Sequence, residues 1–115
     1  MYKMFYIMRK DLNMTPSKLA VQIGHGTSLM FLNPCLKVQL VDWFTENNMK
    51  KIVLSIDNEE KMKNIYLKLF NDKFFVDKIY DIGLTEFNGY TETGIVLLIN
   101  ENDVPNYIKR LRLYK

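Results

Sequence analysis

Four apolar segments typical of β-strands lie along the chain, and the lengths between them restrict the fold more than any other feature. They are YKMFYIMR (2–9), KIVLSI (51–56), FFVDKIYDI (74–82) and IVLLIN (95–100). Helical patterns separate the first three, whereas the polar connection GLTEFNGYTETG (83–94) is too short for a helical crossover. Alternating strands and helices are typical of an α/β layered domain with a mostly parallel sheet. The short connection adds an antiparallel strand, so the sequence predicts a four-stranded mixed sheet.

Four helices are predicted from the polar residues and prolines at their starts. The predicted starts are Thr15-Pro16, Asn33-Pro34, Asp57 or Asn58, and Asn102. The first helix has one apolar side, which we expect to face the sheet: Leu19, Ala20, Ile23, Met30 and Phe31. The third helix is expected to end near Asn71.

Length and composition are those of an ordinary globular protein with one domain. The chain has 115 residues, of which 48% are hydrophobic and 25% charged, and we expect a single domain over 1–115. Cys35 is the only cysteine, which excludes an internal disulfide and fits a reducing compartment. The start of the chain has no secretory pattern, so we expect a cytoplasmic protein.

An uncharged run at residues 19–36 has the length of a membrane span. It contains Gln22, His25, Asn33 and a proline, which are costly in lipid. The run is therefore predicted to be a half-exposed helix rather than a span.

Positive charge is concentrated near the end of the sequence. Residues 105–115 contain Lys109, Arg110, Arg112 and Lys115 and no acid, whereas the formal net charge of the whole chain is only +3. Such a segment can attract phosphates, or it can simply solubilise the last helix. The composition leaves both interpretations open.

Three polar side chains form a line on the first helix. Lys18, Gln22 and His25 fall within a narrow sector opposite the predicted apolar side. A lysine in a first turn lies against the positive end of the helix dipole, which is favourable only if an anion is bound there. The alternative is a flexible lysine in water, paired with Asp11.

His25 is the only histidine, and imidazole is the side chain best suited to accept and return a proton near neutral pH. No second histidine and no cysteine lie at ligand spacing, which argues against a zinc site. Ser28 and Cys35 lie in no nucleophile motif, and the glycines form no phosphate-binding loop. A structural role for His25 remains the alternative to a catalytic one.

Asp81 is the second candidate, because it ends the third predicted strand. In an open parallel sheet, Asp81 and Lys18 both belong at the carboxyl edge, where ligands usually bind. Thr85 and Thr93 lie in the following connection and can donate hydrogen bonds into the same hollow. The alternative is a turn aspartate flanked by surface threonines.

Two motifs connect these candidates. The stretches RKDLNM (9–14) and KLAVQIGHG (18–26) resemble the N-terminal signature of the type-2 peptidyl-tRNA hydrolases of archaea and eukaryotes, and DIGLT (81–85) resembles the second motif of that family. The resemblance extends over nearly the whole chain. It implies a three-layer α/β/α domain, commonly a homodimer, with no metal or nucleotide cofactor. It also implies hydrolysis of the ester between a peptide and the 3′ end of tRNA, which recycles tRNA.

The resemblance also implies which residues act. Lys18, His25, Asp81 and Thr85 match the catalytic positions. Asp81, helped by His25, would position or deprotonate a water, and Lys18 would stabilise the oxyanion or bind the terminal phosphate.

Two further positions are expected to bind substrate or support the site. Gln22 matches an amide of the first motif, and Thr93 matches a serine or threonine of the family. Both would lie beside the catalytic positions.

The second motif departs from the family pattern at two positions. Leu84 and Glu86 stand where the family commonly has an arginine and a glutamine. A change of about two charges beside the site should weaken phosphate attraction. The alternative function is therefore a noncatalytic family member that binds RNA or a protein partner, and a generic esterase is a third possibility.

Overall fold

The computed structural model of the protein describes residues 1–84 and 87–115, in four strands and four α-helices. The strands are β1 (Tyr2–Arg9), β2 (Lys51–Ile56), β3 (Val76–Asp81) and β4 (Thr91–Asn100). The helices are α1 (Pro16–Phe31), α2 (Lys37–Thr45), α3 (Glu59–Asn71) and α4 (Asn106–Lys109). Short 3₁₀ turns cover Pro34–Leu36 and Glu101–Asp103.

The four strands form one mixed sheet in the order β2-β1-β4-β3. β1 and β2 are parallel, and β4 is antiparallel to both β1 and β3. β3 therefore runs in the same direction as β1 and β2, and the carboxyl ends of all three lie at one edge, beside the start of β4. This topology confirms the predicted mixed sheet.

Helices cover both faces of the sheet. Met4, Tyr6 and Met8 of β1 pack with α1 and α2 on one face, while Phe5 and Ile7 pack with α3 and α4 on the other. Because both faces are covered, residues 4–9 of β1 are buried without a polar alternation. The three-layer α/β/α architecture is confirmed.

Most helix starts follow the predicted caps. The Thr15 hydroxyl accepts a hydrogen bond from the Lys18 amide at 3.1 Å, with Pro16 in the first turn. Asn58 caps α3 by accepting from the Lys61 amide at 2.9 Å. Asp57, the other candidate for this cap, pairs instead with the Lys61 ammonium.

Two predictions about the last third of the chain are wrong. β4 begins at Thr91 rather than at residue 95, because the polar residues Thr91 and Glu92 pair with β3, which their side chains do not signal. Asn102 does not cap the closing helix, since Asn100 caps a 3₁₀ turn and α4 starts only after Pro105.

In residues 1–84 and 87–115, no helix has the length and apolar character to cross a bilayer. The uncharged run 19–36 is divided between α1 and the 3₁₀ turn that follows it.

Candidate active site

The buried side of α1 includes two of the three polar residues that were expected to face away from the sheet. The predicted apolar side is partly buried as well, since Leu19 and Ile23 pack against the same core. Lys18, Gln22 and Gly26 are buried together with Met30, each four residues after the last. Phe31, expected inside, is 52% exposed. The expectation that Lys18 and Gln22 point away from the core is therefore wrong, because the sheet offers them charged and polar partners.

Lys18 and Asp81 form a buried ion pair. The Lys18 Nζ lies 2.5 Å from Asp81 Oδ1, and each side chain is only 8% exposed. The interpretation of Lys18 as a solvated lysine paired with Asp11 is wrong, since Asp11 instead binds the Arg9 guanidinium. The two residues predicted to meet at the carboxyl edge of the sheet do so.

Asp81 accepts further hydrogen bonds on both carboxylate oxygens. Gln22 Nε2 donates to Oδ1 at 3.3 Å, and the Gly83 amide donates to Oδ2 at 2.8 Å. Gly83 has a φ of +86°, and a Cβ there would lie 2.2 Å from the Gly89 amide nitrogen. Only glycine can make this turn and present its amide to Asp81.

Gln22 and Thr93 form a second layer of polar contacts behind the ion pair. Both are completely buried, and the Thr93 hydroxyl donates to Gln22 Oε1 at 2.8 Å. This bond directs the amide group of Gln22 toward Asp81. In this structure Gln22 and Thr93 contact protein groups, and the prediction that they bind substrate stays a prediction.

The electrostatics of the site favour an ionised Asp81. The hydrogen bond from the Lys18 ammonium lowers the pKa of Asp81 below its ordinary value of 3.8, against the opposing effect of burial. The Gly83 amide and the charge of His25 lower this pKa further. The site therefore holds a carboxylate near neutral pH.

Close packing of α1 on the sheet makes these contacts possible. A Cβ on Gly26 would lie 2.8 Å from Ile79 Cδ1 and 3.2 Å from Tyr6 Cδ1. The absence of a side chain at this position lets the helix approach β1 and β3. Gln22, one turn earlier, can then reach Asp81.

A hollow of about 300 Å³ adjoins the ion pair. His25 and Asp81 line it together with mainly apolar side chains: Ser28, Leu29, Leu32, Tyr80 and Ile82. Lys18 is not among the residues that line this hollow, and it contacts the hollow through its partner Asp81. His25 is solvent exposed, so α1 supplies an accessible imidazole to the hollow and a buried cation to the carboxylate that lines it.

Two side chains near the site were not found from the sequence. Phe87 covers Lys18, whose Nζ lies 5.5 Å from the centre of the ring. Arg9 is 9% exposed and binds both carboxylate oxygens of Asp11, as well as Glu59 and the Glu92 carbonyl. Arg9 lies in the first motif and could have been found there, whereas no pattern pointed to Phe87.

Thr85 and Glu86 lie outside the described residues, so the catalytic prediction for Thr85 stays a prediction. In the part of the chain that the structure describes, no three His, Cys, Asp or Glu side chains are grouped so that they could hold a metal ion.

Comparison with known proteins agrees with the motifs. Residues 2–114 match the family described as Peptidyl-tRNA hydrolase PTH2. The chain belongs to this family. Its membership confirms the resemblance that the two motifs carry.

Archaeal relatives named peptidyl-tRNA hydrolase match over most of their length. A relative from Thermococcus onnurineus is 36% identical over 104 residues, which are 84% of this chain and 82% of the relative. One from Thermococcus sibiricus is 30% identical over 111 residues, or 93% and 92% of the two chains. One from Methanocaldococcus jannaschii is 29% identical over 96 residues, or 83% and 84%.

Proposed function

We propose that this protein hydrolyses the ester bond between a peptide, or an N-blocked aminoacyl group, and the 3′ end of tRNA. Membership of the peptidyl-tRNA hydrolase family supports this reaction. The observation that assigns the reaction to particular residues is the buried Lys18–Asp81 pair, which lies beside a hollow lined by His25. No described feature favours a noncatalytic role.

Lys18 would stabilise the charge that develops on the ester carbonyl oxygen. The Lys18 ammonium carries a positive charge directly beside Asp81, the carboxylate that lines the hollow. At 8% exposure, the ammonium acts in a medium less polar than water, where its attraction for an oxyanion is stronger. Burial also favours this role over binding of a solvated backbone phosphate.

Asp81 would orient the attacking water rather than deprotonate it. A carboxylate whose pKa is lowered by the Lys18 hydrogen bond is a weak base. Its two oxygens offer about four acceptor positions, of which donors among residues 1–84 and 87–115, namely Lys18, Gln22 and Gly83, occupy three. The remaining capacity fits one water.

His25 would accept the proton from that water. It is exposed and lines the same hollow as Asp81, so it is accessible to solvent. Imidazole can take up a proton and return it to the leaving 3′ hydroxyl near neutral pH. Leu29, Leu32 and Ile82 give the hollow an apolar wall that suits an acyl side chain.

Gln22 and Thr93 would hold Asp81 in place, since Gln22 donates to Asp81 and Thr93 donates to Gln22. For Thr85, the second motif supports a hydrogen bond to the substrate.

The reaction is tested by incubating pure protein with N-acetyl-aminoacyl-tRNA and separating acylated from free tRNA on an acid gel. We expect release of the intact N-acetyl amino acid. Release should be slower in His25→Ala and unchanged in Lys50→Gln, a surface control that lies just before β2, at the end of the sheet opposite the site. A generic esterase would cleave p-nitrophenyl acetate equally well. Acylated tRNA that survives excess enzyme at low ionic strength would contradict the proposal.

We further propose that two copies associate through the exposed apolar face of α2 and the end of α1. Phe31, Val38, Val41 and Phe44 are each more than half exposed there, and all of them except Val38 line a hollow of about 500 Å³. Sedimentation should give a dimer, and the Val41→Glu/Phe44→Glu variant a monomer. A wild-type monomer at micromolar concentration would contradict this.

We also propose that residues 1–115 form one domain and that the protein works in the cytoplasm, where its tRNA substrate would be found.

A further inference from the structure

The basic end of the chain is fixed against the outer edge of the sheet. Leu113 bridges Leu54 of β2, and the Ser55 amide donates to the Arg112 carbonyl at 2.8 Å. The Tyr114 amide donates to the Val53 carbonyl at 3.0 Å. These backbone bonds place the side chain of Arg112 at the carboxyl end of β2 rather than on a mobile tail.

Cations from two parts of the chain surround this point. A hollow of about 230 Å³ is lined by Lys61 of α3 and by Arg110 and Arg112 of the terminal segment, and Asp57 is the one carboxylate among the described residues that line it. Asp57 pairs with Lys61 at 2.8 Å. Among the described residues, neither arginine forms an ion pair.

A second hollow lies on the other side of the same terminal segment. Its volume is about 440 Å³, and Lys10, Lys115 and Tyr114 line it together with Pro16 at the start of α1. We call Lys10, Lys61, Arg110, Arg112 and Lys115 the basic edge. All five are exposed.

The basic edge lies along the same border of the sheet as the candidate active site. Lys10 follows β1, Asp57 follows β2 and Asp81 ends β3, at the carboxyl ends of three strands that run in one direction. Three strand spacings separate β2 from β3, or roughly 14 Å. That span corresponds to only a few nucleotides, since one nucleotide of a helical strand advances about 3.4 Å.

Resting on the proposed function, we infer that the basic edge binds the sugar-phosphate backbone of the substrate tRNA, several nucleotides from the ester. Arginine binds phosphate oxygens with two parallel hydrogen bonds, and two arginines that form no ion pair with the described carboxylates are suited to that contact. This second contact compensates for Leu84 and Glu86, which remove positive charge from the second motif.

The test compares Arg110→Gln/Arg112→Gln with Lys50→Gln/Lys68→Gln, which removes the same formal charge from the opposite edge of the sheet. The substrates are N-acetyl-aminoacyl-tRNA and its minimal analogue, the same acyl group esterified to adenosine. The KM for the tRNA substrate should rise on the order of tenfold to a hundredfold at low salt in the arginine variant. The slope of log KM against log salt concentration should fall by roughly one to two, because about two phosphate contacts are lost.

Hydrolysis of the adenosine ester should be the same in both variants, because it lacks the distant phosphates. If the arginine variant matches the lysine control in KM and salt dependence, the inference is overturned. Urea unfolding verifies that each variant is folded. If the double arginine variant is not folded, the single Arg110→Gln variant is compared with the lysine control by the same two criteria, KM and salt dependence.

A binding measurement separates the role of the basic edge from the hydrolytic activity. Binding of uncharged tRNA, measured by filter retention, needs no hydrolysis. Weaker binding by the arginine variant supports the basic edge even if no ester is cleaved, whereas equal binding by both variants overturns it even if cleavage is normal.

Discussion

Breaking the Lys18–Asp81 pair from one side should cost far more stability than removing both charges. Each side chain is 8% exposed, so either single substitution leaves a charge buried without its partner. Such a loss costs about 3 to 5 kcal/mol. Lys18→Met keeps the length of the side chain, and Asp81→Asn keeps an oxygen that can accept from the Gly83 amide.

The double variant Lys18→Met/Asp81→Asn removes both charges and is expected to cost less than the sum of the singles by at least ~2 kcal/mol. Urea unfolding followed by circular dichroism gives the four free energies of the cycle. Costs that add to within about 0.5 kcal/mol would refute the reasoning, because additivity means that the two groups do not interact.

The pH dependence of the same pair gives a second readout. Asp81 has a pKa below its ordinary 3.8, chiefly because of the Lys18 hydrogen bond. A lowered native pKa stabilises the fold above the unfolded pKa, and that contribution is lost as the pH falls through the native pKa. The difference in stability between wild type and Lys18→Met should therefore shrink below about pH 3.8. A difference that stays constant down to pH 2 would contradict this.

Two further predictions concern the surroundings of the pair. Gly26→Ala should destabilise the fold by about 1 to 3 kcal/mol and slow hydrolysis, because its Cβ would press on Tyr6 and Ile79, whereas Gly24→Ala, which meets nothing within 4 Å, should be neutral or stabilising. Equal unfolding free energies for the two would contradict the close packing of α1. Thr93→Val should cost about 1 to 3 kcal/mol and lower kcat more than it changes KM, because Gln22 Oε1 loses its donor inside the protein. Thr93→Ser should restore both quantities, and a Thr93→Val enzyme with normal kcat would rule out the positioning role.

The sheet was predictable because its strands are apolar enough to be recognised one at a time. Residues 2–9 and 51–56 coincide with β1 and β2, and the antiparallel direction of β4 followed from the short connection before it. The start of β4 was missed, since Thr91 and Glu92 are polar and their pairing with β3 depends on the neighbouring strand rather than on their own side chains.

The buried ion pair was not predictable from periodicity. Lys18 and Gln22 count as polar in any helical pattern, so the pattern places them outside, and only a partner 63 residues away makes their burial favourable. The two family motifs, by contrast, predicted that Lys18 and Asp81 belong to one site. The contact between Phe87 and Lys18 could not be found in this way, because no sequence pattern connects these two residues.

The most direct test is the single-turnover rate of N-acetyl-aminoacyl-tRNA cleavage by Lys18→Met protein that urea unfolding has shown to be folded. If the buried ammonium stabilises the oxyanion, the rate should fall about 10²- to 10³-fold, with little change in the concentration of tRNA needed for half saturation. A folded Lys18→Met protein that cleaves the ester at the wild-type rate would contradict the account.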